Sequence, residues 1–238
     1  MRNIKEVYMK KTFYSEVAYI LGVLLMALGT AFTVKADFGV SMVIAPSFVI
    51  YKKINMYLSW FTFGMAEYLF QLVLLLILMI VIRKFKIIYL FSFLTAIFYG
   101  LCLDGWTLVV ALIPMNHIAI RIMYYFVGFL LVALSVAFLY NTYICPVVYE
   151  LFVKEISKRY KINLFRFKTC FDISFLLLAV ILSFLFFGWM QFVGVGGGTI
   201  CVALVNGFTI GMFCKILNHF FQFKDALKLR TFFEKEEN

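Results

Sequence analysis

Charge is what this sequence has least of. Asp, Glu, Lys and Arg together make up 14% of its 238 residues, against about a quarter in soluble domains. There are only three prolines and two histidines. With so few breakers and solvating residues there is no room for a separate soluble domain, and a single membrane domain over 1–238 is expected. His117 and His219 are remote from one another, and the five cysteines include no C-x-x-C pair. Neither a metal site nor a disulfide framework is expected. H-E-x-x-H and G-x-S-x-G are missing, and no Lys follows the Gly194–Thr199 run. Metallopeptidase, serine-hydrolase and P-loop chemistry therefore have no residues to rest on. The chain is expected to be no enzyme and to carry no cofactor.

Apolar residues are plentiful. They reach 65%, with 30 Phe and 14 Tyr and a mean hydropathy of +1.00, which makes the lipid bilayer the first partner expected. A hydrocarbon core of about 30 Å is crossed by roughly 20 apolar residues in a helix. Six stretches qualify: Phe13–Val34, Trp60–Ile82, Ile87–Ile113, Ala119–Tyr140, Thr169–Gly188 and Gly198–Phe220. Val40–Tyr51 and Pro146–Tyr160 are too short or too charged to span. The expected fold is all-α, a polytopic membrane helix bundle of six long spanning helices plus two short re-entrant or interfacial ones. The first span is read as uncleaved. Its apolar run exceeds a signal-peptide core, and Lys35 sits inside the only cleavage-like triplet, Val34–Ala36.

The net charge of +10 is spread in short clusters between apolar stretches, which argues for anionic headgroups and against nucleic acid. With the N-terminus inside, the cytoplasmic side receives Arg2, Lys5, Lys10, Lys11, Arg83, Lys84, Lys86, then Lys154, Lys158, Arg159, Lys161, Arg166, and the tail of 221–238 around Lys224–Arg230. Outside remain Lys35, Lys52, Lys53 and Arg121. Both termini are therefore expected in the cytoplasm.

An internal echo runs through the chain. Gly22–Phe32 aligns without gaps to Gly128–Phe138, with seven of eleven positions identical. Each is followed by a loop, a short helix-like stretch, a span with an acid near its start (Glu67, Asp172), and a span with Asp104-Gly105 or Asn206-Gly207. Units of about 13–113 and 119–220 with three spans each would lie upside down to one another. Such a 3+3 inverted repeat recurs in transporters that bind solute between the halves.

Ionisable groups inside a membrane mark candidate sites. Glu67 and Gln71 share a helix face. With Asp104 and Asp37, and with Lys35 and Arg121 as cations, they describe a polar outer vestibule for a cationic or zwitterionic solute or a proton. Helix-end pairing is the competing reading for each acid, and Asp172, four residues after Lys168, reads as a structural ion pair. Ser41, after Gly39, is placed to cap a half-helix whose N-terminus would face an anion. The glycine run with Gly196, Gly197 and Thr199, together with Asn206 in the span it opens, completes the candidate binding set. Close backbone approach to a ligand and plain tight packing both fit those glycines.

At Leu21-Gly-Val, Ala27-Leu-Gly and Lys35-Ala-Asp-Phe-Gly-Val-Ser, continuing through Phe61-Thr-Phe-Gly-Met-Ala-Glu-Tyr and Gly194–Thr199, the chain resembles the YczE/YyaS/YitT-type bacterial membrane proteins. Pro46 falls a few residues later than the proline of many relatives. The resemblance implies a multi-span inner-membrane protein suspected of transport and supplies no catalytic residues. Three functions follow as expectations: a small-solute permease, a scaffold that binds a cytoplasmic partner through Lys154–Lys168 or the tail, and the substrate-capturing subunit of an uptake complex. A homo-oligomer or a partner subunit is compatible with each.

Overall fold

The computed structural model describes residues 11–83 and 85–227. Arg2, Lys5, Lys10, Lys84 and the tail beyond Leu227 lie outside the described residues. Six helices are long and apolar enough to cross a membrane: α1 (Ser15–Ala36), α3 (Phe63–Ile82), α4 (Ile88–Ala111), α5 (Ile118–Tyr140), α7 (Leu164–Phe187) and α8 (Gly197–Phe220). Two short helices, α2 (Ala45–Asn55) and α6 (Val148–Tyr160), separate them. The protein is an all-α integral membrane bundle in contact with lipid. Exposed Leu, Ile, Val and Phe on its outer surface, such as Ile80, Leu108 and Phe208, have no other solvent suited to them.

The main departure in the spans is α7, which begins at Leu164 rather than Thr169. Lys168 therefore stands one turn inside a helix and not in a loop. At the chain's ends, β1 (Lys11–Tyr14) and β2 (Phe221–Lys224) form a two-stranded parallel ribbon. Glu16 reinforces it by accepting the backbone N–H groups of Ala226 and Leu227. Phe13 thus belongs to a strand and not to the first span.

Six crossings put both ends of the bundle on one face, here the termini face. α1 and α5 run antiparallel at the centre and cross where glycines leave room. A methyl added to Gly29 would sit 2.6 Å from the Gly128 carbonyl oxygen, and one on Gly128 would sit 2.7 Å from that of Gly29. Gly22 meets Ser135 in the same seam. These contacts obey the register of the internal alignment. Moving Gly22 to Gly128 and Gly29 to Ser135 turns one contact pair into the other.

The remaining packing is paired in the same way. α1 packs on α4 as α5 packs on α8, and α2 on α3 as α6 on α7. Between the halves, α2 meets α7 as α6 meets α3.

Both short helices are re-entrant. The chain turns at Asp37 and Gly39, which takes φ +101, and dips from the far face into the bundle. It returns as α2, whose Lys53 Nζ donates to the Phe186 carbonyl at the far end of α7. In mirror fashion, 141–147 enters from the termini face. Ser92 and Thr95, early in α4, donate to the carbonyls of Pro146 and Cys145, and α6 then climbs back to Lys161.

Candidate functional site

The two dips leave the N-terminal ends of α2 and α6 near mid-membrane, facing a shared cavity of about 40 Å³. Its polar lining comes from both halves: Thr30 of α1, Ser41 of the first dip, Tyr99 of α4, Tyr149 and Glu150 of α6, Lys168 of α7 and Asn206 of α8. Apolar Met26, Val132 and Val136 complete the wall. A space of this size holds a water or a small ion and nothing larger.

Two buried polar clusters flank the cavity at matched places. Glu67 and Gln71 are the fifth and ninth residues of α3, and Lys168 and Asp172 are the fifth and ninth of α7. Each fifth residue bonds the third residue of its own half's short helix: Ser47 to Glu67 in α2 and α3, Glu150 with Lys168 in α6 and α7.

In the first cluster Glu67 is completely buried. It receives Ser47 Oγ, Tyr149 OH at 3.2 Å and, at a long 3.4 Å, Gln71 Nε2. Gln71 Oε1 takes the Val148 N–H at 3.1 Å, one of the free donors at the start of α6. Tyr149, the second residue of α6, thus reaches across to the first half's acid as a hydrogen-bond donor. In the second cluster Lys168 Nζ lies 2.9 Å from Glu150 Oε1 and 3.1 Å from Asp172 Oδ1. The Asp172 contact is an ion pair without hydrogen-bond alignment. Tyr140 OH donates to the other Glu150 oxygen.

The remaining candidates fall elsewhere. Asp104 does not line the central cavity. It accepts from Thr62 Oγ1 at 2.7 Å and from the Gly64 N–H at 2.8 Å, and so anchors the start of α3 to α4. The helix N-terminus is its partner, not Lys35 or Arg121. The expected vestibule is also divided. Asp37 pairs with Arg121 at 3.2 Å and, with Lys35, lines an open pocket at the far face, whereas Glu67 is sealed in the interior. The two glycine junctions meet each other. Gly198 N–H donates to the Phe38 carbonyl and Thr199 Oγ1 to that of Val40. A methyl on Gly196 would meet the Phe38 carbonyl oxygen at 2.3 Å, so this glycine is spent on packing. Gly197 has open space beside it. Ser41 does not cap α2 with its side chain. The helix starts four residues on, with Pro46 in its first turn, and only the Ser41 carbonyl takes part, accepting from Ala45.

Of the candidate set, then, Ser41 and Asn206 line the central cavity, with Glu67 and Gln71 one layer behind through Tyr149. The residues not anticipated are Thr30, Tyr99, Tyr149, Glu150 and Lys168. The repeat register also changes: Glu67 matches Lys168, and Asp172 matches Gln71. Asp104 lies seven residues from the end of α4, whereas Asn206 is in the middle of α8, so these two do not correspond.

The profile of a family of unknown function (DUF6198) matches residues 13–215, from the strand before α1 to the last turns of α8. The chain belongs to this family. No curated protein and no solved structure matches it. Membership therefore covers all eight helices and the whole cavity, and it assigns no activity to them.

Proposed function

We propose that this chain is a small-solute permease, not an enzyme, built as an inverted repeat of α1–α4 and α5–α8, with the central cavity as its solute site. The observation that carries this reading is Asn206. It is buried, it lines the cavity, and its side-chain oxygen has no partner. An unmet acceptor in that position costs free energy that folding does not require, and a passing solute or its water could satisfy it. The matched packing of the two halves supports alternating access. Each dip is pinned by the start of the other half's last helix, α8 on 37–44 and α4 on 141–147, so exchanging which dip is released would expose the cavity to one face at a time.

The basic clusters support cytoplasmic termini in a bacterial inner membrane. Arg83, Lys86, Lys154, Lys158 and Arg159 all fall on the termini face, while Lys35 and Arg121 line the far-face pocket.

The test is a solute screen by thermal shift on detergent-purified protein, with Asn206→Leu alongside. A solute that stabilises wild type by several degrees and leaves the variant unmoved supports the reading, and it should then accumulate in proteoliposomes. If no solute stabilises either protein, and function in cells depends on the exposed basic residues of α6 instead of the cavity, the scaffold reading replaces it.

A further inference from the structure

At the far face two hollows adjoin. One, of about 390 Å³, is polar and open, with Lys35, Asp37, Asn116 and Arg121 on its walls. The other, of about 380 Å³, is almost wholly apolar and lies between α5 and α8. They meet where the Arg121 guanidinium lies over the Phe38 ring, 5.1 Å from its centre, since Arg121 lines the first and Phe38 the second.

The apolar groove has a direction. Its α5 wall runs from Ile122 to Phe129 and its α8 wall from Gly198 to Val205, both at spacing i, i+3, i+4, i+7. It therefore descends about 10 Å along both helices from the far-face end toward mid-membrane, as an acyl chain would. Ile122 and Val205 are half exposed on the lipid-facing surface. The polar end has charge to offer. Of Arg121's five donors, Nε is used on the Ala36 carbonyl and Nη2 on Asp37, which leaves the rest of the fork for an oxyanion. Lys35 is exposed beside it.

From this geometry we infer a phospholipid site, distinct from the central cavity. The phosphate sits against Arg121 and Lys35, and one acyl chain lies in the α5–α8 groove. Two adjoining hollows, one basic and one apolar, joined at a single arginine and aligned with the helices, match the two ends of a membrane lipid. They suit no wholly polar solute. Asp37 at the rim also gives a cationic headgroup a partner.

Native mass spectrometry of the full chain tests this, with phosphatidylglycerol or phosphatidylethanolamine titrated after delipidation. The expected result is one saturable phospholipid per chain. Diacylglycerol, which lacks the phosphate, should bind about tenfold more weakly, and excess inorganic phosphate should not displace the lipid. Val205→Trp, which fills the groove from its lipid-facing side, should also weaken binding about tenfold. The lipid-free melting temperature of that variant should stay at the wild-type value, and Lys35→Gln should weaken only the phospholipid arm. Graded adducts without saturation, identical in wild type and Val205→Trp, would overturn the site. So would displacement by inorganic phosphate. The solute screen on the central cavity reads out separately, so either proposal can fail alone.

Discussion

At the fifth and ninth residues of its third helix the first half carries Glu67 and Gln71, and the second half carries Lys168 and Asp172. The short helices answer with Ser47 and Glu150. The backbone plan is shared, yet one half solves burial with hydrogen bonds and the other with ions. The seams differ too. α1 is tied to α4 by Tyr19 to Thr95 and Thr30 to Tyr99. No side-chain hydrogen bond joins α5 to α8 among the described residues, and that seam holds the apolar groove. The lesson is that symmetry of packing does not carry symmetry of strength. A network of hydrogen bonds loses a bond when one member is cut, whereas an ion-paired one is left with a stranded charge.

The strongest way to break this comparison is Lys168→Met. It leaves Glu150 and Asp172 buried without a cation and should cost about 3–5 kcal/mol in chemical unfolding from detergent. Adding Glu150→Gln and Asp172→Asn should recover part of the loss. Glu67→Gln, at the matched position, keeps one acceptor oxygen and puts an NH2 donor in place of the other, which a hydroxyl of Ser47 or Tyr149 can accept, and should cost about 1 kcal/mol or less. Equal losses at the two positions would refute the contrast. Next in size is the crossing that both halves share. Gly29→Ala places a methyl against the Gly128 carbonyl and should cost about 1–3 kcal/mol. Gly105→Ala, which meets nothing within 4 Å, should be neutral or slightly stabilising. Smaller again, Tyr99→Phe cuts one α1–α4 tie and should cost about 0.6 kcal/mol. Opening of the α1–α4 seam should rise toward that of α5–α8, as read by hydrogen exchange on α4.

The unequal halves also explain how much could be read from the sequence. Hydropathy locates six spans and two short segments because a bilayer imposes length directly. Even so, it misplaces the start of α7. Leu164–Lys168 looks like the end of a basic loop, and only the partners Glu150 and Asp172 allow a lysine to enter the bundle. The spacing of Lys168 and Asp172, four apart, was the available signal, and it is an ion pair in the structure. Glu150 and Tyr149 were hidden in an amphipathic segment whose polar face is usually taken for surface. That face turns inward here because α6 dips between α3 and α7. Asp104 is a case in the opposite sense. An acid within an apolar run reads as functional, and the structure gives it partners at the start of α3, the Thr62 hydroxyl and the Gly64 N–H. The glycine junctions left packing and binding open, and the structure shows them packed on one another.

The one substitution expected to give a clear gain separates function from stability most cleanly. On the first half's side of the cavity Tyr99 is bonded to Thr30, while on the second half's side Asn206 keeps an oxygen without a partner. Asn206→Leu keeps the side chain's heavy-atom count and branching, puts its added bulk into the adjoining cavity and removes an unmet acceptor, so it should stabilise the bundle by about 1 kcal/mol, seen as a small rise in melting temperature. Most core substitutions destabilise, so a gain here would mean that the native amide is kept at a cost to the fold. If the same variant also loses its response to a solute that stabilises wild type, that cost has an assigned use. If Asn206→Leu instead melts lower, the amide has a structural partner, and the cavity loses the residue that most favours a passing solute.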